Sequence, residues 1–134
     1  MIGVLLVTHG EIGTALLTSA SQILGGVPQQ VATLSVWRQD DPDDLVLRAR
    51  ELLERIDAGD GVLVLTDIFG ATPGNVVSRL LADGQVEGVS GVSLPMLLRV
   101  LTSRNGSLAA AVKRALSGGA EGVVHMNSDR CLDA

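Results

Sequence analysis

Two short stretches of nearly uninterrupted apolar sequence, Ile2 to Thr8 (IGVLLVT) and Gly61 to Thr66 (GVLVLT), limit the possible folds more than any other feature of this chain. A strand with one face in water alternates apolar and polar residues. A run without that alternation has to be covered on both faces, as the strands of a parallel sheet are. Between the two runs the period changes. Ile12, Ala15, Leu16, Ser19 and Ile23 recur at helical spacing until Gly25-Gly26, and Val31 to Val36 reads as another strand. From Asp43 to Ala58, Leu45, Ala49, Leu52, Leu53 and Ile56 form one stripe behind the start signal Asp40-Asp41-Pro42.

After Thr66, a loop over Asp67 to Thr72 leads into a helix that should run to about Ala82, with Thr72 as its N-cap and Pro73 at its first helical position. Val86 to Val92 is a weaker strand. Helices follow over Pro95 to about Thr102, with Met96, Leu97 and Leu98 in the core, and over Ser107 to Leu116. Gly122 to Met126 is a last strand candidate, and His125 inside it is read as structural. Buried strands alternating with amphipathic helices imply right-handed crossovers and a mostly parallel sheet. The expectation is an α/β, three-layer, doubly wound sheet of order 2-1-3-4, built by one domain over residues 1–134, which is about one domain's length of chain.

Charge and composition exclude several functions. Ten basic against fifteen acidic side chains leave a net charge of −5, and the chain has one Trp, one Phe and no Tyr, so neither a basic field nor stacking platforms exist for nucleic acid. The single cysteine, Cys131, forms no disulfide framework or zinc cluster, fits a reducing cytoplasm and is assigned no role. Met1 to Val7 meets Thr8, His9 and Glu11 at once, unlike a secretory signal, and no run of 18 apolar residues is available to enter a membrane.

In open parallel sheets the ligand crevice lies beyond the carboxyl ends of the strands, where the winding direction switches. His9 follows the first strand and Asp67 the third, so if those strands are neighbours the two side chains meet. A carboxylate on one imidazole nitrogen sets the tautomer and leaves the other nitrogen free to attack. Beside them, Gly70, Ala71 and Thr72 lead into a helix start that offers free N–H groups and a hydroxyl to an anion such as a phosphoryl group. Each residue alone has a plainer reading: a turn histidine, a capping aspartate, an N-cap threonine. Their coincidence at one switch point carries the functional reading.

The segments IGVLLVTHGEIGTALLTSASQILGG, GVLVLTDIFGATPGNVV and GVSLPMLLRVL resemble, in order and over nearly the whole chain, the enzyme IIA components of the mannose-type phosphoenolpyruvate:sugar phosphotransferase system. The resemblance implies that His9 accepts a phosphoryl group from the phosphocarrier HPr and passes it to a IIB component, with Asp67 orienting the ring and no cofactor or metal. It further implies a homodimer, with the last strand antiparallel and exchanged between subunits in some relatives. Thr72 stands where relatives often carry Ser, and Ser93 replaces an amide in the segment Ser93-Leu94-Pro95-Met96. A regulatory phospho-switch acting on a protein partner is the other role open to such a chain. Thr8-His9-Gly10-Glu11 differs from the Arg-His-Gly-Glu signature of histidine phosphatases by lacking the phosphate-binding Arg.

Overall fold

The computed structural model describes residues 1–128, and Cys131 lies outside the described residues. The elements are β1 (Gly3–His9), α1 (Ile12–Leu24), β2 (Val31–Val36), α2 (Pro42–Ile56), β3 (Val62–Thr66), α3 (Thr72–Ser78), β4 (Val86–Ser90), α4 (Leu94–Leu101) and α5 (Leu108–Glu121). The four strands pair in parallel in the order β2-β1-β3-β4. This is the expected doubly wound α/β arrangement, with its switch point between β1 and β3.

The period-2 geometry of a strand divides the core into two layers. Val4 and Leu6 of β1, with Leu63 and Leu65 of β3, point to the side covered by α1, α4 and α5, where Ala20, Leu97, Val100 and Ala115 are buried. Leu5 and Val7, with Val62 and Val64, point to the other side against Leu45, Val46 and Ala49 of α2 and Val76 and Val77 of α3. Both faces are covered, which accounts for the absence of polar alternation in the two central strands.

Helix ends follow local chemistry. Gly25 takes a left-handed conformation and closes α1. The Asp41 carboxylate accepts the Asp43 amide at 2.9 Å ahead of Pro42 in α2, and Ser93 and Ser107 cap α4 and α5 in the same way, at 3.3 and 3.1 Å. At the amino end of the sheet the buried Arg104 donates to the carbonyls of Ile2 and Gln29, at 3.2 and 2.7 Å, and so fastens β1 to the loop before β2.

Three expectations are corrected. α3, expected to run to about Ala82, ends at Ser78, with Arg79 as its C-cap. α5 does not stop at Leu116 but continues through Gly118-Gly119 to Glu121. Those glycines are contact points: a Cβ on Gly118 would stand 3.1 Å from the Arg99 Cβ, and one on Gly119 would stand 2.8 Å from the Met96 Cε. Arg99 reinforces the contact through an ion pair with Glu121. Residues 122–126, expected to form a strand, are turn and coil, because within the described chain they have no ladder partner. Val123 and Met126 are exposed there, and His125 Nδ1 is hydrogen-bonded to the Ser128 hydroxyl at 2.6 Å within a turn.

The start of β1 runs against the end of α2 so closely that a Cβ on Gly3 would stand 2.5 Å from the Ile56 carbonyl oxygen. Gly3→Ala should therefore cost about 1–3 kcal/mol in urea unfolding, as overpacking against backbone does. Gly26→Ala, which meets nothing within 4 Å, should stay within about 0.5 kcal/mol. Equal stability of the two variants would contradict the close approach.

Candidate functional site

The carboxyl ends of β1 and β3 lie side by side, with Val7 opposite Thr66, so the next residues of the two strands emerge together. His9 Nδ1 stands 2.8 Å from Asp67 Oδ2, and the same oxygen accepts the His9 backbone amide at 3.2 Å. An ionised carboxylate only accepts, so Nδ1 carries the proton and donates it, and Nε2 keeps its lone pair. The Asp67 side chain is 12% exposed and the His9 side chain 48%, so the carboxylate is sheltered while the ring it holds can be reached.

Burial alone would raise the Asp67 pKa. The hydrogen bonds it accepts from the His9 ring, the His9 amide and its own backbone amide, together with the attraction of the His9 ring when that ring is protonated, outweigh burial and hold the pKa below the ordinary aspartate value. Just beneath, the buried Thr8 hydroxyl accepts the Gly13 amide at 2.8 Å and ties the start of α1 to the end of β1. Gly10 turns the chain at φ +47°, and the Trp37 ring lies 3.4 Å from where its Cβ would be.

On the other side, Gly70 adopts φ +87°, a left-handed turn that suits glycine. This turn brings the chain into α3 one residue early. Ala71, not Thr72, is the N-cap, and Thr72 is the first helical residue with Pro73 behind it. No side chain caps α3, so the exposed Thr72 hydroxyl is not consumed by a cap, and the first-turn amides have no intrahelical acceptor.

His9 and Thr72 open onto a cleft of about 500 Å³, whose other walls are Trp37, Arg38, Asp40 and Pro42 over Val36. Arg38 and Trp37 were not anticipated. The rule that located His9 and Asp67 also applies to β2, and the residues just past its carboxyl end would have been found by extending it to every parallel strand. Among the described residues no three His, Cys, Asp or Glu side chains gather as a metal site requires, and no helix is long and apolar enough to cross a membrane.

The fold and the site together define a doubly wound α/β domain that presents, at its switch point, a histidine backed by a sheltered carboxylate. A family model described as the PTS system fructose IIA component (EIIA-man) matches residues 3–116. The mannose-specific EIIAB component of Escherichia coli K12 is 31% identical over 125 residues, or 91% of this chain, and the chain spans 38% of that relative's length. The fructose-specific EIIA component of Bacillus subtilis is 33% identical over 105 residues, 78% of this chain and 71% of that protein. The crystal structure of a phosphotransferase system EIIA component from Streptococcus agalactiae superposes with a TM-score of 0.85 at 26% identity, covering 96% of this chain and 99% of the other. The chain belongs to the mannose/fructose-type enzyme IIA family of the phosphotransferase system, as its sequence segments led us to expect.

A depressed pKa means that the unfolded chain takes up the Asp67 proton at a higher pH than the folded chain. The stabilisation is therefore complete above the unfolded value and is lost as pH falls through the folded one. Carbon-13 titration should place the Asp67 carboxyl midpoint below that of an exposed aspartate. In His9→Ala, where burial faces fewer opposing interactions, the midpoint should move up. A midpoint at the ordinary value in the unmodified protein would refute the pairing.

Proposed function

We propose that this chain is a phosphohistidine carrier that accepts a phosphoryl group from HPr on His9 and hands it to a IIB component, in sugar phosphotransfer within the cytoplasm. The observation that carries the reading is the Nδ1 hydrogen bond to Asp67, which leaves Nε2 as the free nucleophilic atom on an exposed ring. In this step the Nε2 lone pair forms the bond to phosphorus while the donor's bond to phosphorus breaks, and the electron pair returns to the donor. Asp67 stabilises the positive charge that the ring acquires. The amides of Gly70, Ala71 and Thr72 and the Thr72 hydroxyl receive the phosphoryl oxygens. Positioning and charge stabilisation are what phosphoryl transfer asks of a protein.

We further propose a homodimer in which residues 122–126 add to a partner's sheet. The support is the outer edge of β4, which ends the sheet, together with exposed Val123 and Met126. Light scattering should give twice the 13.9 kDa chain mass, and a monomer at micromolar concentration would overturn this part.

Incubation with phosphoenolpyruvate, enzyme I and HPr should label the protein, and His9→Ala should take no label. Labelling that persists in His9→Ala would remove His9 from the reaction. Asp67→Asn should fold and accept the phosphoryl group roughly tenfold to a hundredfold more slowly, the range set by one hydrogen bond to a charged group. An unchanged rate would exclude Asp67.

A further inference from the structure

β2 runs parallel to β1 with Val36 in register with His9, so residues 37–40 emerge beside the histidine. They form a tight turn closed from both ends: the Trp37 amide donates to Asp40 Oδ2 at 2.8 Å, and the Asp40 amide donates to the Trp37 carbonyl at 3.0 Å. Arg38 sits within this turn and lines the same cleft as His9 and Thr72, as the one basic side chain among the lining residues. It is exposed and makes no hydrogen bond or ion pair among the described residues. Arg48, Arg79 and Arg99, by contrast, pair with Asp40, Asp43 and Glu121.

The other charged wall of the cleft is Asp40. Its Oδ2 already receives the Trp37 amide and lies 4.0 Å from the Arg48 guanidinium, so the contacts it makes are to groups other than Arg38. Asp67 serves the ring of His9, not the group the ring would carry. A phosphoryl dianion on Nε2 would therefore share its cleft with the Asp40 carboxylate, in a chain of net charge −5, and among the described residues that line the cleft Arg38 is the one uncommitted cation. A planar guanidinium matches two phosphoryl oxygens at once.

We infer that Arg38 is the counter-ion of the phosphoryl group on His9, contacting its oxygens for as long as the Nε2–P bond exists; this rests on the phosphocarrier reading. Arg38 stays protonated throughout and moves no proton. The consequence is thermodynamic as well as kinetic, because a contact made only in the phosphorylated protein stabilises that form.

The decisive measurement is the equilibrium constant for phosphoryl exchange between HPr and this protein, taken from the labelled fraction of each at several mixing ratios. Contacts that merely help the two proteins dock cancel from this constant, since it compares the separated proteins. Arg38→Gln, at an exposed position with no partner to lose among the described residues, should lower it about tenfold, and Arg38→Lys should fall between the two. A constant within twofold of the unmodified protein in Arg38→Gln would overturn the inference while leaving the carrier reading intact. An unmodified protein that takes no label on His9 would overturn both.

Discussion

The register between β1 and β3 is the constraint on which the rest of this structure depends. These strands are joined by more than fifty residues of chain, yet Val7 lies opposite Thr66 and the 2.8 Å contact between His9 and Asp67 follows from that alignment. A slip of two residues would move one side chain about 6.6 Å along the other strand, and a slip of one would also turn it to the opposite face. The register is in turn enforced by burial. Every side chain of β3 and all but the last of β1 lie inside, so a one-residue shift would exchange the contents of the two core layers. The packing that stabilises the sheet and the geometry that assembles the site are thus one arrangement.

The two ends of the sheet are treated differently. At the amino end, Arg104 and the close passage of Gly3 beneath Ile56 bind strands and helices tightly. At the carboxyl end the chain leaves room: Gly10 and Gly70 turn sharply away, Trp37, Ile68 and Phe69 are exposed, and α3 begins without a side-chain cap. The chain's Trp and its Phe both lie at this rim rather than in the core, where aliphatic side chains suffice to fill the space.

Much of this was legible in the sequence because it rests on short-range signals. The doubly buried strands, the stop at Gly25 and the Asp41-Pro42 start of α2 are each written within a few residues. His9 and Asp67 were legible because a topological rule converts strand ends into neighbours. What was missed depends on contacts distant in sequence. The helix expected to end at Leu116 continues through Gly118 and Gly119, whose lack of side chains matters because Met96 and Arg99 of α4 occupy the space where those side chains would be. The Thr72 cap failed because the turn at Gly70 advances the helix by one residue. Residues 122–126 have strand-like composition, but a strand exists only with something to pair with. Arg38 carries no motif, and only the placement of β2 beside β1 gives it meaning.

One oxygen of Asp67 holds both the ring and the backbone amide of His9. The imidazole is therefore fixed in tautomer and in azimuth before any partner arrives. On the proposed reading, no proton crosses the site when phosphorus comes or goes, and no side chain must first change partners. The pair looks the same to an incoming group as to a departing one, so the domain has no built-in arrow. The direction of flow is set from outside, by whichever of its two partners holds the phosphoryl group less tightly.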